Sequence, residues 1–356
     1  MNKLITGSII LLSNVMIAQK SGIVVANMDK SVNPAQDFYS FANGTWQKTF
    51  KLPESDARYG SFNEINENNL KKIKVIYSEV SQNKTAQPNT NIQKLRDFYL
   101  TAMDSTKRDK QGFEAIKQEL EKIEKVKNIN DFIALKANFD QIGIKLLFEA
   151  GVSVDPKNSK RNIYGISQAG LGMGDRDFYF NPQFAKIKTE YVNYLSALYG
   201  QIGISADVAT KNAKEILDFE AKLAEKALTK LEMRDYEKMY NIYSLQTLTD
   251  LAPIKWEFYF NEIKLTVPDS ILVATTEYLK NMQAVIQATP IETLKNYAKA
   301  HVLMEAAPFL DTKFLNIHFN FRGVVMSGAK KMKPRWELTH QLITATMGEI
   351  IGEEFT

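Results

Sequence analysis

The sequence predicts a mainly α-helical protein interrupted by one small β-hairpin at about residues 146–168. From about Phe62 onward, apolar residues recur at three-and-four spacing, the repeat that places them on one stripe of a helix. A helix-start signature of hydroxyl, proline and acid is written at Thr289-Pro290-Ile291-Glu292. Only one segment alternates apolar with polar residues, the period of a strand with one buried face.

In chain order, Lys3 and the mostly apolar run Leu4 to Ala18 read as an export signal. Thr6, Gly7, Ser8, Ser13 and Asn14 make that run too short and too broken for a stable membrane span. Removal of residues 1–18 is expected because Ala18 is small, although Met16 stands where a second small residue is preferred. The protein is then exported, to the periplasm or the outside, and is membrane-associated only where the leader is retained. Gln82 to Asn91, polar with Pro88, is a loop between helices.

Leu146, Phe148, Ala150, Val152 and Val154 alternate with Leu147, Glu149, Gly151, Ser153 and Asp155, as a half-buried strand would. Pro156-Lys157-Asn158-Ser159 turns the chain and Ile163 to Ser167 returns it. Ala206 to Lys230 is the clearest helix, with Ser205 as its cap and Ala213, Ile216, Leu217, Leu223, Ala224, Ala227 and Leu228 along one stripe. Lys255 to Phe260 reads as a short extended piece, and Pro268-Asp269-Ser270 as a turn into the next helix. The helix opened by Thr289 runs to roughly Ala306–Pro308.

Trp336 to Glu354 is the last helix, with Gly348 and Gly352 allowing another backbone to approach closely. Glu353, Glu354 and a free carboxylate pile negative charge on its negative pole without a Gly or Asn cap, which reads as a truncated end.

The 44% hydrophobic content of 356 residues supports a sizeable core, in two ordinary domains or one large helical one. Lys+Arg 45 against Asp+Glu 41 leaves a net charge of +4 with no basic run, which sets nucleic acid aside as a partner. The absence of cysteine excludes disulfide staples, thiolate metal sites and a thiol nucleophile.

Zinc hydrolysis needs ligands around an ion with one open position and a nearby base, which a His-Glu-x-x-His helix supplies in one turn. No such motif is present; the histidines are His301, His318 and His340. His301 and Glu305 lie one turn apart and could share an ion, but they read better as a solvated pair, and the other two as packing or surface residues. Gly170-Leu171-Gly172-Met173-Gly174-Asp175-Arg176-Asp177 lacks the Lys-Ser or Lys-Thr of a phosphate loop and reads as a turn after the hairpin. Ser61 and Ser327 lack the setting of a nucleophile elbow. Arg58 could grip a carboxylate with two parallel hydrogen bonds; by itself, an Arg before Tyr-Gly reads as a surface or ion-pair residue.

Five motifs together change that reading. Asn43-Gly44-Thr45-Trp46, Arg58-Tyr59-Gly60-Ser61-Phe62, the Gly170–Tyr179 loop, Arg234-Asp235 with Tyr240-Asn241, and Pro334-Arg335-Trp336 with Gly348 and Gly352 resemble the N-terminal half of the neprilysin and endothelin-converting enzyme family of zinc metallopeptidases. The absence of cysteine suits a bacterial member. The resemblance implies a large multi-helix lid, residues 51–335, that caps a zinc domain and encloses oligopeptides. It also implies that residues 19–50 pack on that domain and that residues 336–356 begin the connector helix to it.

The family's zinc ligands and general base come from the half that is missing here, so no catalytic or metal residue and no cofactor is assigned to this chain, and zinc is implied for the full-length enzyme. Arg58 resembles the residue that receives the peptide carboxylate, and Phe62 part of the same subsite wall. Asn63 and Asn66 stand where well-studied members carry an acid and an Arg, which alters that subsite's charge. The expected function is the substrate-enclosing domain of a secreted endopeptidase, inactive alone. The rival is a non-enzymatic helical peptide-binding or scaffold protein built on the same fold.

Overall fold

The computed structural model describes residues 22–355, so the expected export signal at residues 1–18 lies outside the described residues. The chain divides into two compact units, one ending at Pro53 and the other beginning at Glu54.

In the first unit, Asp37 opens the Phe38–Thr49 helix by accepting the Ser40 N–H at 2.9 Å. The Asn43-Gly44-Thr45-Trp46 motif ties this helix to the loop before it. Gly44 is buried, and a methyl there would sit 2.7 Å from the Asp29 Cβ. Beside it the Thr45 hydroxyl donates to the Met28 carbonyl at 2.8 Å, and the Lys48 ammonium reaches Asp29 at 2.6 Å. Trp46 stacks on Phe50 with ring centres 4.7 Å apart.

The second unit is mainly α-helical, with two cores. Tyr77, Val80, Leu95, Ile343 and Ile351 join helices Ser61–Gln82, Asn91–Met103 and Arg335–Phe355 into the smaller one. The larger core lies among helices Ala185–Gln201, Ala206–Ala224, Thr276–Ala288 and Ile291–Ala306 and one face of a small sheet. Ala213, Ile216, Leu223 and Ala224 are buried there, as their spacing requires. The helix ends at Ala224 rather than Lys230 because another partner takes over its backbone. The Gln168 side chain donates to the Leu228 carbonyl at 2.8 Å and accepts the Leu228 N–H at 2.7 Å.

The hairpin, β1 (Phe148–Asp155) and β2 (Asn158–Gln168), is extended by two short strands, β3 (Ile242–Tyr243) and β4 (Ile271–Val273), in the order β1-β2-β4-β3. β2 runs parallel to β4, pairing Tyr164 with Ile271, while β3 runs antiparallel to β4. The expected burial alternation along residues 146–155 fails: Leu147 is buried with Leu146 and Phe148, Val152 and Val154 are 60% and 56% exposed, and Asp155 is buried instead. Asp155 faces inward because it accepts from Arg161 Nε at 2.7 Å, Tyr240 Oη at 3.0 Å and the Lys157 N–H at 2.8 Å, which closes the turn.

Four other expectations are corrected. Residues 256–262 are helical, not extended: Trp256, Tyr259 and Phe260 sit at the spacing of one helical face and bury together against Phe148 and Tyr164. Pro268-Asp269-Ser270 accordingly leads into β4 before the next helix. Thr289 does not cap the Ile291–Ala306 helix; its hydroxyl donates back to the Val285 carbonyl at 2.7 Å, closing the helix before it. Along Arg335–Phe355, the backbone departs from helical angles at Met347, and nothing among the described residues approaches Gly348 or Gly352.

Candidate functional site

The Arg58–Asn66 segment joins a loop to the first turns of the Ser61–Gln82 helix. Gly60 is the extended residue before the helix, and Asn63 Oδ1 accepts its N–H at 3.1 Å, which sets the angle at which the loop enters. Tyr59 donates to Glu67 Oε2 at 2.8 Å; the phenol is pushed up to about 12 chiefly by that hydrogen bond. With Tyr59 and Gly60 anchored after it, Arg58 is an exposed side chain with no hydrogen-bond or ion-pair partner among the described residues. Phe62 is 88% exposed, and Asn66 is exposed one turn further along the same helix. Of the four residues singled out from the sequence, Asn63 thus spends its acceptor on the backbone, while Arg58, Phe62 and Asn66 remain open to solvent.

The exposed Phe62 ring in the first turn of the helix offers an apolar surface, and the unpaired Arg58 guanidinium on the loop before it offers a planar donor fork. That combination can receive a side chain and a carboxylate of an extended ligand.

The glycine-rich loop after the hairpin serves the core. Tyr297 donates to the Gly170 carbonyl at 2.8 Å, Arg322 donates to the Gly172 carbonyl at 2.6 Å, and the Met173 N–H donates to Tyr179 Oη at 3.2 Å. A turn after the hairpin is therefore the right reading of this motif, and no phosphate is needed to explain its glycines.

The histidines are engaged one by one. His301 is buried, not solvated: its Nε2 lies 3.3 Å from Glu220 Oε1, while Glu305, its expected partner, stays exposed. His318 Nδ1 lies 3.1 Å from Tyr194 Oη, and His340 Nδ1 lies 2.8 Å from Tyr77 Oη. Among the described residues, no group of three or more His, Cys, Asp or Glu is arranged to hold a metal ion. The three imidazoles do not converge as a zinc site's ligands must, since each packs against its own partner, Glu220, Tyr194 or Tyr77. Glu220, central to this arrangement, was not legible as a site because its partners come from distant points in the sequence.

The profile of peptidase family M13 matches residues 34–356. The chain belongs to peptidase family M13. Endothelin-converting enzyme 1 of Bos taurus is 29% identical over 359 residues, 97% of this chain and 47% of that protein. The Rattus norvegicus enzyme of the same name is 30% identical over 348 residues, 93% of this chain and 45% of that protein. The zinc metalloprotease Zmp1 of Mycobacterium tuberculosis, solved in complex with an inhibitor, shares the fold with a TM-score of 0.89 at 22% identity, covering 94% of this chain and 51% of that one. PepO of Lactobacillus rhamnosis HN001 matches with a TM-score of 0.75 at 15% identity, covering 91% and 51%. The chain spans about half the length of the curated relatives it matches. The M13 family is one of zinc metallopeptidases homologous to endothelin-converting enzyme and neprilysin, so the resemblance carried by the five motifs holds. No helix among the described residues is long and apolar enough to cross a membrane.

Proposed function

We propose that this chain is the substrate-enclosing part of an exported zinc metalloendopeptidase of the M13 family that acts on oligopeptides. Residues 51–335 form the helical lid; residues 19–50 and 336–356 lead to a zinc-binding half that supplies the ion's ligands and the base. Alone, the chain hydrolyses no peptide, because water activation requires an ion with an open position and no three ligands converge on one among the described residues.

The observation that supports this reading most directly is the open Arg58 on the loop that Asn63 fixes, four residues before the exposed Phe62 in the first turn of the helix. A guanidinium without an acid partner keeps its whole fork for an incoming carboxylate, and the ring offers the neighbouring side chain an apolar surface. Asn66 leaves that surface uncharged on its helical side, so discrimination rests on Arg58.

The test is a titration with a hexapeptide bearing a free C-terminal carboxylate and with its C-terminal amide. The acid should bind about 10-fold more tightly, a difference of about 1.4 kcal/mol, and Arg58→Gln should erase it. Phe62→Ser should weaken both forms alike. An unchanged preference in Arg58→Gln sinks the assignment, and chelator-sensitive hydrolysis by this chain sinks the claim that it is inactive alone.

A further inference from the structure

A cleft of about 660 Å³ opens in the second unit between Arg108 on the Ser105–Gln111 helix, the Thr312–His318 helix, the π-helical segment Phe319–Met326 and the start of the Arg335–Phe355 helix. Its walls are largely apolar, formed by Phe309, Leu315, Phe319, Leu338 and Leu342. A volume of this size, within the roughly 300–1,000 Å³ of small-molecule pockets, accommodates a drug-sized body.

The charges on these walls are unequal in their commitments. Arg322 donates to the Gly172 carbonyl at 2.6 Å, and Lys333 lies 3.4 Å from Asp56 and 3.5 Å from Glu337, so both are satisfied. Arg108 and Arg335 have neither an ion pair nor a side-chain hydrogen bond among the described residues, yet Arg108 Nε and Arg335 Nη1 are sealed from solvent. Burial, and then the nearby Arg335 charge, disfavour the charged form of Arg108. The acids that act on Arg108 are already employed: Asp109 Oδ1 accepts from the Thr312 N–H at 2.7 Å, and Asp311 Oδ1 from the Lys313 N–H at 2.8 Å and the Phe314 N–H at 3.0 Å. His318, also on the wall, adds no positive charge near neutral pH, because burial and then Arg322 pull it down to about 4.

Leaving a donor buried without an acceptor is costly, and more so on a charged group. This cleft does so twice, between two like charges. We infer that the cleft binds a carboxylate carried on an apolar body, with Arg108 and Arg335 holding the carboxylate and the hydrophobic walls holding the rest. Two guanidinium donors match the planar acceptor edge of a carboxylate. A free hydrated anion would leave the apolar walls uncovered, so the ligand is amphipathic. The end of a short apolar peptide and a medium-chain fatty acid share this chemistry. The inference is independent of the role proposed for Arg58.

The experiment uses this chain carrying Arg58→Gln, so that the open loop contributes no carboxylate binding. Calorimetric titration compares N-acetyl-leucyl-phenylalanine, its C-terminal amide, octanoate and inorganic phosphate. At least one of the two carboxylates should bind with one-to-one stoichiometry, and the one that binds identifies the source. The amide should bind at least 10-fold more weakly than the dipeptide acid if the dipeptide is the source, and phosphate at least 10-fold more weakly than either binding carboxylate. Arg108→Gln and Arg335→Gln should each weaken carboxylate binding by about 10-fold or more while leaving the thermal midpoint unchanged or raised, because removing one charge relieves the other. A ligand-induced rise in the midpoint with acid but not amide, or with octanoate, provides the same reading without any cleft variant. No binding by either carboxylate, equal binding of acid and amide with none by octanoate, phosphate binding as tight as the carboxylates, or binding unaffected by both Arg substitutions would overturn it.

Discussion

His301 Nε2 lies 3.3 Å from Glu220 Oε1 in the interior of the second unit, where the two residues are 5% and 0% exposed. Glu220 also accepts from Tyr179 Oη at 2.7 Å and Tyr191 Oη at 3.0 Å, so one carboxylate gathers three residues from three other helices without a lysine or arginine in contact. Removing it leaves those donors buried and unsatisfied. Glu220→Ala should therefore destabilise the fold by about 3–5 kcal/mol, from orphaned donors and a cavity together. Urea denaturation checks this, and a loss below about 1 kcal/mol would show that the cluster contributes little.

The glycine-rich loop yields a graded prediction. A methyl at Gly172 would lie 1.8 Å from Tyr191 Oη, and one at Gly170, where φ is +78°, would lie 2.1 Å from Tyr297 Oη and 2.5 Å from the Leu147 nitrogen. Gly174 has φ +85° but faces open space. Alanine at 170 or 172 should cost several-fold more stability than alanine at 174, where the left-handed backbone alone costs about 1 kcal/mol. Thermal midpoints of the three variants provide the ranking, and equal losses would contradict it.

Lys136 is wholly buried, its ammonium 2.6 Å from both Asp140 oxygens and 2.8 Å from the Phe148 carbonyl. Burial pulls the amine down to about 8, against the opposing pull of Asp140. Lys136→Met strands a mostly buried carboxylate and should cost about 3–5 kcal/mol, whereas Lys136→Met with Asp140→Leu should recover part of the loss. A double variant as unstable as the sum of the singles would mean that the two side chains are not coupled.

His318 makes stability depend on pH. Burial, then the neighbouring Arg322, lowers its folded value to about 4 from an ordinary 6.5. Between these values the unfolded chain binds the extra proton, so the contribution is fully present above about pH 6.5 and is lost as pH falls toward 4. By pH 5 this loss reaches at most about 2 kcal/mol. Burial also lowers His340, which acts in the same direction. His318→Asn should flatten the difference in urea midpoint between pH 7 and pH 5, and an unaltered slope would remove His318 as its source.

Legibility differed by element. The apolar stripe at Ala213, Ile216 and Leu223 and the loop between Gln82 and Asn91 were readable because each depends on neighbours within a few turns. Lys255–Phe260 was misread because dense aromatics suit a strand, although Trp256, Tyr259 and Phe260 already stood at helical spacing. β3 and β4 gave no local signal, since two or three residues become strands only by pairing with β2 and with each other. At the open loop, Arg58 and Phe62 were identified through a motif, while the anchoring of Asn63 on Gly60 emerged from the folded geometry.

Periodicity, capping residues and the motif set point to a mainly helical chain of the M13 family, because those signals arise from interactions between residues close in sequence. The burial of His301 against Glu220, the engagement of the glycine loop with Tyr297 and Arg322, and the placing of Arg108 and Arg335 on one cleft could not be read that way. Each joins positions far apart along the chain, and a side chain's charge state and partners depend on which distant groups the packed helices bring against it.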